Sequence, residues 1–110
     1  MNFSLLQFLK ERSSLIKKFD CVGLGISASD YLCLLERYPQ LDEKTVLKQF
    51  AREGGGPVPT ALVVLQKMGC QTAYLGKLGT DQEGTFLLNE LQRYNVNTEY
   101  VYLDPSSATP

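Results

Sequence analysis

Apolar positions change rhythm several times along the chain, and each change predicts an element. In residues 2–18, Leu5, Phe8, Leu9 and Ile16 recur at helical spacing, with Arg12 placed to snorkel. An amphipathic helix is expected there, weakened at Ser13-Ser14 and appended (1–18) to one domain over 19–110. "FDCVGLGIS" (19–27) is a short apolar run ending in glycines, which reads as a buried strand. "DYLCLLERYP" (30–39) alternates Tyr31, Cys33 and Leu35 with Leu32, Leu34 and Glu36. That pattern fits a strand partly covered on both faces, with a helix as the alternative, and Pro39 ends it either way. A turn and a second candidate strand, Thr45–Ala51, follow.

From Pro57 onward the period becomes helical, and proline suits a first turn because its missing N–H has no partner there. Ala61, Val64, Leu65 and Met68 form one apolar face, and Gly69 fits the left-handed residue that stops a helix. "CQTAYLG" (70–76) is the next strand. "TDQEGTFLLNELQRYN" (80–95) opens with Thr80 or Asp81 as cap, and Glu83 stands at capping-box spacing from Thr80. Leu87, Leu88, Leu91 and Tyr94 form its buried stripe. "TEYVYLD" (98–104) alternates as a strand, and "PSSATP" is loop. Strands alternating with helices predict a mainly parallel α/β sheet. A sheet this small leaves an open edge and an uncovered face, so the pattern reads as part of a larger domain.

Composition narrows the chemistry. The 110 residues are 44% hydrophobic and 21% charged with a net charge of −1, an ordinary globular balance without the basic footprint of a nucleic-acid or anionic-membrane binder. Histidine is absent, which excludes Ser-His-Asp and Cys-His catalysis and disfavours a zinc site. Cys21, Cys33 and Cys70 lie among apolar residues without C-x-x-C spacing and read as small core hydrophobes in a reducing cytosol. The N-terminus lacks a signal-peptide pattern, no run of about 18 apolar residues exists, and a cytoplasmic location is expected.

Three stretches could carry chemistry. "GLGIS" (23–27) is no dinucleotide fingerprint, because Ala28 breaks the spacing. Asp30 follows the first strand, where a carboxylate in an open α/β sheet points toward the usual ligand region and can accept bonds from two neighbouring hydroxyls. An exposed turn aspartate is the plainer alternative. "EGGGPVPT" (53–60) sets glycines before a helix start, allowing close approach of a ligand to the backbone, with Thr60 adding a hydroxyl. "GKLGTDQEG" (76–84) reads as a tight turn into a capped helix.

In this order, "GGGPVPTALVVLQKMGCQTAYLGKLGTDQEGTFLLNELQRYNVNT" resembles the N-terminal signature of the ribokinase-like (PfkB) carbohydrate kinases. "VGLGISASD" is similar to that family's first strand with its substrate-contacting aspartate. The resemblance covers about residues 20–110. It implies a mainly parallel sheet flanked by helices, with a small β lid from segments such as 31–38 and 44–52. It also implies transfer of the ATP γ-phosphoryl group to a sugar hydroxyl with Mg²⁺, and a possible homodimer through the lid. Asp30 is expected to bind sugar hydroxyls and Gly55 with Gly56 to be the close-approach pair. Thr60 stands where many members carry asparagine, and Ala28 where some carry a polar contact. The family's D-T-x-G-A-G-D segment, which supplies the catalytic base and anion hole, has no counterpart in the 110 residues. They are therefore expected to form a sugar-binding portion, inactive alone, with no catalytic, nucleotide or metal residues of their own. The competing readings are a nucleoside as substrate, a non-catalytic remnant, and a small α/β interaction domain.

Overall fold

The computed structural model describes residues 17–110, so the helix expected over 2–18 lies outside the described residues except for Lys17 and Lys18, which are not helical. In chain order the elements are β1 (Cys21–Leu24), β2 (Ala28–Leu34), β3 (Gln49–Gly55), α1 (Pro57–Lys67), β4 (Thr72–Gly79), α2 (Gln82–Arg93) and β5 (Val101–Asp104). The strands β1, β4 and β5 form a parallel sheet in the order β1-β4-β5. Its register places Cys21 opposite Thr72 and Gly76 opposite Val101. The strands β2 and β3 pair antiparallel in a separate hairpin, with Ala28 opposite Gly55 and Leu34 opposite Gln49.

Glycines on and just after β1 decide how α1 seats. An ideal Cβ at Gly23 lies 2.6 Å from Val58 Cγ1, and one at Gly25 lies 2.5 Å from Val58 Cγ2. With no side chains there, Val58 and Leu62 drop onto the strand. Leu62 then joins Tyr74, Leu91 and Val96 in the buried core, ringed by Cys21, Val58, Val63 and Val101. Tyr74 is fully enclosed and its hydroxyl donates to the Gly25 carbonyl at 2.7 Å, so the one polar side-chain atom of the largest core residue is satisfied.

This seating corrects the expected face of α1. Pro59 and Leu62 are its buried residues, whereas Ala61 is exposed and Val64 and Met68 are 51% and 75% exposed. The helix is apolar nearly all round, so periodicity alone could not choose the face; the gap over Gly23 and Gly25 chooses it. Its ends follow the pattern: Pro57 begins it, and Gly69 takes φ 95° just beyond it. The stripe of α2 forms as expected, with Leu87 and Leu91 buried beside Gly84. Strand bounds shift by a few residues, because pairing begins only where the hydrogen-bond ladder forms.

Two further expectations change. Cys33 is exposed on the hairpin rather than buried, while Cys21 and Cys70 are half-buried and all three are free thiols. Residues Tyr31 to Leu34 are exposed on both hairpin faces, not partly covered. On the sheet, Val22 and Leu24 alternate outward from the residues that α1 covers, and Leu75, opposite Leu24, is exposed with them. Among the described residues no helix is long and apolar enough to cross a membrane.

Asp81 caps α2. Its Oδ1 accepts from the Gly84 N–H at 2.8 Å and its Oδ2 from the Thr109 N–H at 2.8 Å. The Thr109 hydroxyl accepts from the Gly79 N–H at 2.8 Å, and Ser29 donates its N–H to the Pro110 carbonyl at 3.0 Å. The closing loop thus ties the helix cap to the base of the hairpin. These bonds, the Thr109 N–H first and the Gly84 N–H next, hold the Asp81 carboxyl below its ordinary value of 3.8. Asp104 is lowered too, chiefly by the Ser106 hydroxyl and N–H.

A carboxyl whose folded pKa lies below its unfolded value contributes stability that is full above the unfolded value and is lost as pH falls through the folded one. Stability contributed by Asp81 and Asp104 is therefore expected to hold down to about pH 4 and decline below it. Urea denaturation between about pH 7 and pH 2.5 checks this. Asp81→Asn is expected to be less stable at neutral pH and to show a shallower acid decline.

Candidate functional site

The hairpin leaves the parallel sheet just after β1 and returns directly into α1, so both its ends meet at one corner. Asp30 lies on β2 and Gly55 ends β3; these strands place Ala28 opposite Gly55 and Asp30 opposite Glu53. An ideal Cβ on Gly55 would lie 2.0 Å from Asp30 Oδ2 and 2.5 Å from its Cγ. The carboxylate therefore rests on the bare Cα of Gly55, and any side chain at 55 would displace it. Gly55 is buried while Asp30 is exposed, so the carboxylate is presented at the surface of the corner.

Gly56 is bare for a different reason. It is the N-cap of α1, with φ 100° and ψ 145°. An ideal Cβ there meets the Ile26 carbonyl oxygen at 2.5 Å and Ser27 Cα at 3.1 Å. The obstacle is backbone, and the conformation itself is one that side chains rarely adopt. Gly55 and Gly56, expected as one close-approach pair, thus face different neighbours: Gly55 a carboxylate, Gly56 the chain crossing at Ile26-Ser27.

Thr60, one turn into α1, is exposed. It lines a cavity of about 180 Å³ with Ser27, Glu53 and Gly55, walled by Val63 and Leu87 among others; Asp30 and Gly56 do not line it. The structure therefore brings Asp30 against Gly55, and Gly55 to Thr60 through a shared cavity. Ser27 was not singled out by sequence. It is 3% exposed, and its hydroxyl is buried without a hydrogen-bond partner. Such a group carries a desolvation cost of about 1–3 kcal/mol, and its residue is among those that line this cavity. The only sequence signal was a small polar residue closing an apolar strand.

Glu83 also departs from expectation. Asp81, not Thr80, caps α2, and the Glu83 carboxylate turns to the hairpin instead of closing a capping box. It accepts from the Tyr31 hydroxyl at 2.5 Å and pairs with Arg52 at 2.5 Å. The Ser29 hydroxyl, then Tyr31, then Arg52 hold its carboxyl below the ordinary value.

Among the described residues no group of three or more His, Cys, Asp and Glu side chains could hold a metal ion. The donor set of the described residues does not fit a resident Mg²⁺. The corner presents a carboxylate acceptor over Gly55, and the adjoining cavity a threonine hydroxyl.

A parallel sheet with helices and an antiparallel hairpin at its strand ends defines a ribokinase-like α/β protein. Residues 20–110 match the pfkB family carbohydrate kinase, and the chain belongs to that family. A 5-dehydro-2-deoxygluconokinase 2 of Bacillus cereus is 30% identical over 95 residues, covering 86% of this chain and 28% of the relative. A nucleoside kinase of Methanothermobacter thermautotrophicus is 25% identical over 91 residues, covering 83% of this chain and 29% of the relative. Among solved structures, a putative ribokinase from Agrobacterium tumefaciens superimposes with a TM-score of 0.75 at 20% identity over 80% of this chain and 29% of that one. Arabidopsis thaliana ribokinase complexed with ribose and ATP does so with a TM-score of 0.67 at 24% identity, with the same coverage. The two solved structures share the fold, and the chain spans under a third of the length of these proteins.

For Gly56→Val the stability term is expected to dominate. The extended positive-φ conformation of Gly56 costs a residue with a side chain about 1–3 kcal/mol, and overpacking costs about 1–3 kcal/mol more. Urea denaturation measures the loss, and a sugar titration of the remaining folded protein shows whether binding falls beyond it. Unchanged stability with lost binding would reverse this assignment.

Proposed function

We propose that these residues form the sugar-binding portion of an ATP-dependent carbohydrate kinase, which transfers a phosphoryl group to a sugar hydroxyl. The observation that carries the reading is the Asp30 carboxylate resting on bare Gly55 at the sheet's strand ends, in a chain of the pfkB family. A carboxylate accepts bonds from two hydroxyls of a polyol, and bare Gly55 gives that carboxylate its place at the surface of the corner. Thr60 and the unpartnered Ser27 hydroxyl supply further polar positions beside Gly55.

The small-molecule partner is a sugar, and a nucleoside is the second reading, favoured by the likeness to a nucleoside kinase. ATP is the phosphoryl donor in this proposal, in keeping with the ribose and ATP complex of the Arabidopsis ribokinase. The catalytic base, the anion hole and the nucleotide and Mg²⁺ contacts are assigned to sequence outside these 110 residues, because no D-T-x-G-A-G-D segment occurs within them. Phosphoryl transfer rests on positioning and electrostatic stabilisation, and one lost oxyanion donor costs about 10²–10³ in rate. Without that assembly the 110-residue chain is expected to show no sugar-dependent ATP consumption.

The test is calorimetric titration with ribose, fructose and adenosine. Asp30→Asn is expected to weaken the bound ligand about tenfold, since hydrogen bonds to a charged group contribute about 1.5–3 kcal/mol. Equal affinity in the variant would remove Asp30 from the site. ATP consumption by the 110-residue chain with these ligands, absent in Asp30→Asn, would show that catalytic groups lie within it.

A further inference from the structure

The hairpin that carries Asp30 touches α2 through one compact cluster. Antiparallel register puts Tyr31 opposite Arg52 and Ser29 opposite Gly54, so these positions share the hairpin face turned to α2. From α2, Glu83 receives both Tyr31 and Arg52: the phenol donates to Oε1 at 2.5 Å and the guanidinium to Oε2 at 2.5 Å. Arg52 also donates to Ser29 Oγ at 3.2 Å and to the Gln82 carbonyl at 3.4 Å. Its guanidinium lies 4.0 Å from the centre of the Phe86 ring, and Tyr31 stacks on Phe50 at 5.7 Å. The Arg52 and Glu83 side chains are 29% and 27% exposed, shielded more than the Lys18 and Glu99 pair.

The rest of the hairpin lacks such anchorage. Leu32, Leu34 and Phe50 are each more than half exposed, and the connection over residues 35–48 contains no helix or strand. Among the described residues, the hairpin is otherwise held to the body at its ends in the glycine corner and by the Ser29 N–H bond to the Pro110 carbonyl. Asp30 immediately precedes Tyr31, so the register of the latch sets where the carboxylate stands.

We infer that Tyr31, Arg52 and Glu83 form a latch that seats the hairpin on the first turn of α2 and so positions Asp30 over Gly55 for ligand binding. They are positioning residues, acting through Asp30 and not by touching the ligand. The binding consequence rests on the sugar-site reading; the latch does not. A guanidinium that is at once paired, hydrogen-bonded and stacked on a ring is poorly replaced by lysine, whose point charge gives up the fork and the stack.

The test uses the 110-residue chain with Glu83→Gln, Arg52→Lys and Tyr31→Phe, the last keeping the ring on Phe50 and removing only the hydroxyl. Amide hydrogen exchange is followed at Asp30, Leu32 and Glu53 on the hairpin and at Ala73 and Tyr74 on β4. Each variant is expected to speed hairpin exchange by about tenfold while β4 stays within about twofold, the pattern of local opening. The Glu83→Gln, Arg52→Lys double variant is expected to match the larger single effect, because the two partners share one interaction. Unchanged hairpin exchange, or equal acceleration at β4, overturns the latch.

Ribose affinity, read in parallel, is expected to fall severalfold in the latch variants and about tenfold in Asp30→Asn. Fast hairpin exchange with undiminished ribose binding, where Asp30→Asn does lose binding, overturns the positioning role. No ribose effect in Asp30→Asn counts against the sugar-site reading alone, and the exchange data still decide the latch.

Discussion

The structure turns on a crowded backbone crossing. At Gly56 the chain leaves the hairpin, enters α1 and passes the Ile26 carbonyl so closely that a side-chain carbon would lie 2.5 Å from it. That approach lets β3 end beside β2 and α1 begin against β1, where Gly23 and Gly25 admit Val58. One residue earlier, the same lack of side chain gives the Asp30 carboxylate its resting place on Gly55. Fold and site therefore share one constraint: three elements converge within two residues, and only glycine fits at either.

Much of this was legible in the sequence because it depends on local chemistry. Pro57 and Gly69 bracket α1, Asp81 caps α2, and the alternation of strand and helix patterns predicts the parallel sheet. Asp30 and the glycine run stand out as a candidate ligand corner for the same reason. What was not legible depends on tertiary approach. Val58, Ala61, Leu62, Val63, Val64, Leu65 and Met68 make α1 apolar on nearly every side, so its inward face is chosen by a gap in a strand far earlier in the chain. Cys33 sits in an apolar run that reads as core, yet the hairpin holds it away from the sheet. Glu83 has capping-box spacing, but a guanidinium and a phenol from the hairpin compete better for its carboxylate than a backbone N–H in its own turn.

The glycines Gly79 and Gly84 of "GKLGTDQEG" (76–84) serve the backbone, in contrast to Gly55 beside the hairpin. An ideal Cβ on Gly84 would lie 2.0 Å from the Gly79 carbonyl oxygen, and one on Gly79 would lie 2.3 Å from the Ser107 carbonyl oxygen. These residues let the closing loop fold over the cap of α2, where Thr109 bonds both Asp81 and Gly79. Gly55 near the hairpin instead makes room for the Asp30 carboxylate. Between the two lies the Glu83 cluster, which joins the first turn of the capped helix to the hairpin. A rigid cap, a latch and an open corner are thus consecutive links from the sheet to the proposed ligand.

In the proposed function the Asp30–Gly55 corner receives the hydroxylated ligand. The most direct measurement is a titration of the ¹⁵N-labelled chain with ribose, fructose and adenosine, followed by amide chemical shifts. Saturable shifts are expected at Asp30, Gly55, Gly56 and Thr60 with at least one of these ligands, while Gly69 at the far end of α1 stays still. Saturable shifts confined to other parts of the chain, or none from any of the three, would contradict it.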